Sequence, residues 1–138
     1  MEKVQITINR AKDGTYSAYC NDHPALFGSG ATPQKAKDEL VETLRLVKED
    51  GKDKAFIYPS WLDAEYELIT NWDVQTMLEY YTGIITPTAL GNISGIHPKQ
   101  IWAYAHGISH PRKSQICKIQ DAIHNLGREL LNSSFSVL

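Results

Sequence analysis

The chain has 138 residues, 42% hydrophobic and 22% charged, with a formal net charge of -2. That composition excludes a disordered or low-complexity chain and leaves room for one core of ordinary size or two small ones. No apolar run approaches the length of a membrane span, and Met1-Glu2-Lys3-Val4 lacks a signal-peptide layout, so a cytoplasmic protein with no membrane partner is expected.

The charge is unevenly spread. Residues 1 to 71 hold 12 of the 16 acidic and 9 of the 14 basic side chains, leaving 4 and 5 for residues 72 to 138. Cys20 and Cys117 stand far apart, without CxxC spacing and each within an apolar pattern, which predicts two buried free thiols rather than a disulfide or a zinc site.

In chain order, Val4, Ile6 and Ile8 alternate with Gln5, Thr7 and Asn9, and a second alternation through Tyr16, Ala18 and Cys20 follows Asp13-Gly14, so a β-hairpin is expected. Residues 25 to 32 read either as a short glycine-containing third strand or as loop. Thr32 as N-cap and Pro33 at the first helical position open a helix with apolar face Ala36, Leu40, Val41, Leu44 and Val47, ending at Asp50-Gly51. Residues 51 to 64, with Phe56, Tyr58 and Trp61, read as an irregular, partly packed connection. A further strand is expected through Tyr66, Leu68, Thr70 and Trp72.

From Asp73 the period becomes helical, with Val74, Met77, Leu78 and Tyr81 on one face behind an Asp N-cap, so a domain boundary is expected near residue 72. The run from Thr86 to Gly107 then has the spacing of a helix-turn-helix. Gly91 is the small residue within the first helix, Gly95 is the turn glycine, and Leu90, Ile96, Ile101 and Tyr104 are apolar at the crossing. A last helix after Ser109-His110-Pro111 carries a stripe of Ile116, Ile119, Ile123, Leu126 and Leu130, with apolar surface to spare for a partner copy.

No Asp or Glu lies between His97 and Lys118, while Lys99, Arg112, Lys113 and Lys118 do. If Ile101, Tyr104 and Ala105 face inward, Pro98, Lys99, Trp102, Ala103 and His106 face outward as candidate base readers. Lys99 suits guanine O6 and N7, Ala103 a thymine methyl, and Gln100 an adenine edge or a phosphate. His97 is a further candidate contact. Thr86, Thr88, Arg112 and Lys113 are expected to hold phosphates, Thr86 doubling as an N-cap. Trp102 has two readings: core packing under the last helix, or a contact with DNA or a second copy.

Catalysis is not expected. The first strand, Val4 to Asn9, has no carboxylate, Asp13, Asp22 and Asp63 fall in turns or connections, and Glu65 and Glu67 flank or sit on the last strand without partners. His106 and His110 have the spacing of helical metal ligands, yet a glycine intervenes and no carboxylate or thiol is near, so neither metal nor cofactor is expected.

The N-terminal hairpin, the Gly28-Ser29-Gly30-Ala31-Thr32 run leading into Lys35-Ala36, and the C-terminal helix-turn-helix together resemble the HicB family of antitoxins over nearly the whole chain. The chain departs from that family in having Pro24-Ala25-Leu26-Phe27 where a Pro-Gly-Cys-like turn is common, and Ser94 where such repressors place an apolar residue, a slot Ile93 would take if the helix were shifted by one. The resemblance implies an α+β protein with residues 1–72 as a toxin-binding β-β-β-α-β domain, a truncated RNase H-like fold without nuclease activity. Residues 73–138 would be an all-α helix-turn-helix domain. It implies two kinds of partner, a small basic RNA-cleaving toxin similar to HicA and a palindromic operator DNA, bound by a homodimer or larger homo-oligomer that represses its own operon. The alternative is a stand-alone transcriptional regulator whose α+β domain senses a ligand or dimerises, with Phe56, Tyr58 and Trp61 as pocket walls.

Overall fold

The computed structural model describes residues 1–138 as a mixed α+β chain of four strands and five helices. It divides into two compact units, Met1–Thr76 and Met77–Leu138.

In the first unit, β1 (Glu2–Arg10) and β2 (Tyr16–Cys20) form the hairpin, with Ile6 opposite Cys20 and Arg10 opposite Tyr16. β1 starts two residues ahead of the apolar alternation because Glu2 already pairs with Tyr66 of β4 (Tyr66–Trp72), which runs parallel to β1. β3 (Phe27–Gly30) is a short strand antiparallel to β2, so the sheet order is β3-β2-β1-β4. Of the two readings of residues 25 to 32, the strand is the one observed.

Helix α1 (Pro33–Asp50) begins where Thr32 accepts a hydrogen bond from the Lys35 N–H and Pro33 needs no donor of its own. Its inner face, Ala36, Leu40 and Leu44, meets Val4, Ile6, Ile8, Ala18 and Cys20 of the sheet. Val41 does not join that face: it is 49% exposed, because the sheet covers a narrower arc of α1 than the apolar pattern offers. The glycines of β3 have a steric cause. A Cβ on Gly28 would lie 2.3 Å from the backbone N of Leu40, and one on Gly30 would lie 2.7 Å from Cβ of Lys35, so β3 seats directly against the α1 backbone.

The connection after α1 sorts its aromatics unequally. Trp61 is buried and donates to Asp22 Oδ2 at 2.8 Å, Tyr58 is half-buried and donates to Asp63 Oδ1 at 2.5 Å, and Phe56 is fully exposed. The cavity of about 250 Å³ beside Phe56 is lined by Leu26, Val47 and Ile57 but by neither Tyr58 nor Trp61.

Helix α2 (Val74–Tyr80) starts on Asp73, whose Oδ2 accepts from both the N–H and the hydroxyl of Thr76. Thr76 Oγ1 in turn accepts the Arg10 N–H at 3.1 Å. That tie carries the first unit four residues beyond the boundary expected at 72.

The second unit is helical: the remainder of α2, then α3 (Pro87–Ser94), α4 (Pro98–Ala105) and α5 (Lys113–Leu131). Leu78, Leu90, Ile96, Ile101, Tyr104, Ala105, Ile119 and Ala122 are its buried side chains. Burial along these helices follows how far each is covered. α5 has 19 residues and packs on α3, which has 8. The stripe is therefore buried at Ile119, partly buried at Ile123 and Leu126, and 63% exposed at Leu130. Cys117 lies across the helix from Ile119 and is exposed, unlike the buried thiol its neighbours suggest. Ile93 is 48% exposed and takes no inward slot, since the half-buried Ser94 keeps its place by accepting the Ile96 N–H.

The two thiols should separate chemically. Cys20 is buried, and desolvation followed by the nearby Asp22 carboxylate pushes its pKa up to about 11. At about pH 8 a disulfide reagent is expected to titrate Cys117 alone in the folded chain and both thiols after unfolding; two fast equivalents in the folded chain would contradict this burial.

Candidate nucleic-acid interface

Helices α3 and α4 each have 8 residues and are joined by the turn Gly95-Ile96-His97. Local chemistry defines both starts and the bend. Thr86 Oγ1 accepts the Ala89 N–H at 3.0 Å, with Pro87 at the first position of α3. Gly95 ends α3 with φ of 77°, left-handed, and donates its N–H to Gly91 O. His97 then caps α4: its Nδ1 accepts the Lys99 N–H at 3.1 Å, with Pro98 following. Gly91 sits where the chain turns back on itself, and a Cβ there would be 2.8 Å from Ile96 O and 2.9 Å from Pro98 Cγ. Thr86→Ala is expected to cost about 1 kcal/mol in the second unit, read as a lower unfolding midpoint without change of fold.

Ile101 and Tyr104 anchor α4 inward, with Ala105 beside them. The opposite face carries Lys99, Trp102 and His106, all exposed, with Ala103 half-buried between them. Trp102 is 47% exposed and is not core packing. Its indole lies against the His106 imidazole with ring centroids 4.1 Å apart and planes inclined by 24°. His106 Nδ1 is 2.8 Å from the Trp102 carbonyl oxygen. A carbonyl only accepts, so Nδ1 carries the proton and the ring is fixed by the backbone one turn earlier.

The other expected contacts divide by what already holds them. Thr88, Arg112 and Lys113 are exposed, and Arg112 is the N-cap residue of α5 with no side-chain cap and no acid in the first turn, so that helix end keeps its positive dipole. Thr86 spends one oxygen lone pair on its cap and its hydroxyl proton remains available to an acceptor. His97 spends Nδ1 on its cap, which leaves Nε2 outward as a donor. Gln100 Nε2 donates to Ser109 Oγ at 2.9 Å, so bidentate pairing with adenine requires that bond to open. Ser109 escapes sequence reasoning, because it is nine residues away across a glycine turn and no periodicity links the two. No Asp or Glu occurs anywhere between Glu79 and Asp121, so α3, α4 and the start of α5 contain no carboxylate of their own while Lys99, Arg112, Lys113 and Lys118 fall within that stretch.

The carboxylates of the first unit show no convergent chemistry. Asp13 is held below the ordinary carboxylate range first by the Thr15 hydroxyl, and Asp63 first by the Tyr58 hydroxyl and then by Lys52. Each is occupied in its own turn, and no three metal-ligating side chains come together. No helix is long and apolar enough to cross a membrane. No protein-family model, no curated protein and no solved structure matches this chain.

Proposed function

We propose that this chain is a HicB-like antitoxin, a non-enzymatic protein that masks a small basic RNA-cleaving toxin with its first unit and represses its own operon through its second. The observation that supports the reading is the absence of carboxylates from α3, α4 and the start of α5 beside the exposed Lys99, Arg112 and Lys113, with Lys99, Trp102 and His106 on the outward face of α4, the face that would enter a major groove. Lys99, Trp102 and Ala103 are the base readers in this reading, Thr88, His97, Arg112 and Lys113 hold phosphates, and Thr86 and Gln100 act at the margins.

The toxin-masking half rests on the resemblance and on charge. On α1 the exposed Glu42 and Glu49 are already paired with Arg45, which leaves Asp38, Glu39 and Asp50 as the exposed acids that would steer a basic partner. Operator binding would use a homodimer or larger homo-oligomer, consistent with the apolar surface that α5 leaves exposed at Leu130 and Leu131.

The test is co-expression with the product of the adjacent small open reading frame, scored by a stoichiometric complex and by relief of growth arrest, beside binding to the upstream DNA. Complex, rescue and sequence-specific binding together are the expected result. Specific DNA binding without complex or rescue would replace the antitoxin by the stand-alone regulator, and absence of both would remove the proposal.

A further inference from the structure

We infer that Trp102, held flat by His106, reads the C5-methyl face of a thymine and is the residue that sets the sequence preference of α4. The inference rests on the DNA-binding reading above and adds to it the base that is recognised.

The starting point is a misplaced side chain. Trp102 leaves 47% of its surface in water although Ile101 and Tyr104 beside it are buried, so the unit had a core and did not use it for the indole. Nor does the indole move freely, because His106 stacks on it at 4.1 Å and is itself pinned by the 2.8 Å contact from Nδ1 to the Trp102 carbonyl. The pair is a prearranged apolar plate, and a side chain ordered before contact loses little entropy on binding.

Charge selects the occupant. Lys99 lies one turn before Trp102 on the same face, Arg112 and Lys113 open α5 in the same unit, and no carboxylate occurs in the sequence between Glu79 and Asp121. A second copy meeting this face about a two-fold axis would bring cations against cations. A polyanion is favoured instead, and it must offer something apolar. The major groove of DNA has one such group, the thymine methyl. RNA fits less well, since uracil lacks the methyl and the A-form major groove is too narrow for a helix.

The experiment uses the full chain and a duplex from the protected upstream site, with each thymine replaced in turn by deoxyuridine, which removes only the methyl. At fixed salt, one position per half-site is expected to lose about fourfold in affinity, the value of burying one methyl-sized group. Trp102→Ala is expected to bind thymine and uracil duplexes equally, with the salt slope of the parent chain. His106→Ala should reduce the thymine preference and His106→Phe, which keeps a stacked ring, should restore it; an unfolding midpoint like that of the parent chain confirms that each variant is folded. Specific binding that is indifferent to every deoxyuridine overturns this inference and leaves the DNA reading standing. Tighter binding to single strands than to duplex, lost in Trp102→Ala, overturns it in favour of base stacking. No sequence-specific binding at all overturns the reading on which it rests.

Discussion

Replacing Arg112 and Lys113 together by alanine is expected to weaken duplex binding by about 30-fold near 0.15 M salt and to flatten the salt dependence by about two phosphates. The figure follows from counterion release, in which each neutralised phosphate contributes a slope of about 0.9 in log affinity against log salt. Both side chains are exposed at the opening of α5, where the helix dipole is positive and no acid competes. Their loss should affect all DNA sequences alike. Lys99→Ala should behave differently: about 1–3 kcal/mol at one guanine, with discrimination lost at that base pair only. Anisotropy titrations over a salt series, on specific and scrambled duplexes, separate the two. Equal slopes for the parent chain and for R112A/K113A would remove α5 from the interface, and unchanged base preference in K99A would demote Lys99 to a phosphate contact.

How much of this was legible in the sequence depends on whether a feature is local. The starts of α1 and α3 follow from Thr32-Pro33 and Thr86-Pro87, because a cap and a proline act within one turn and carry their own hydrogen bonds. The turn at Gly95 was legible for the same reason. Features decided by a distant partner were not. Val41, Ile93 and Leu130 are apolar at plausible spacings, yet each is exposed, since burial depends on how far the covering element reaches. The parallel pairing of β4 with β1 joins residues more than sixty positions apart, and no alternation pattern encodes which strand a strand will choose. Within the candidate site, the outward face of α4 followed from helical spacing, but two details did not. The imidazole that stacks on Trp102 and the serine that holds Gln100 both depend on rotamers.

Gly28→Ala is expected to be the most damaging single-methyl change in the first unit. The added Cβ would sit 2.3 Å from Leu40 N and 2.5 Å from Ala36 O, both backbone atoms of α1, so no rotamer change relieves the overlap. α1 cannot retreat, because Leu40 and Leu44 are fully buried against the sheet and Thr32 fixes its start. β3 must move instead, opening the seam beside Ala18, with which Gly28 is in register. Overpacking of this kind costs about 3 kcal/mol, a large part of the stability of a small unit. A domain of this size loses about 4–8 °C of midpoint per kcal/mol, so calorimetry should show a much lower transition for the first unit.

The second unit supplies the control. Gly127 lies inside α5 with nothing within 4 Å of an added Cβ, so Gly127→Ala should stabilise that unit by about 1 kcal/mol through helix propensity alone. The two glycines therefore predict opposite signs from the same chemical change. If the proposed division of labour holds, G28A loses toxin neutralisation while operator affinity, measured below its melting range, stays at the parent value. Loss of operator binding at a temperature where the second unit remains folded would mean that DNA recognition needs the first unit as well.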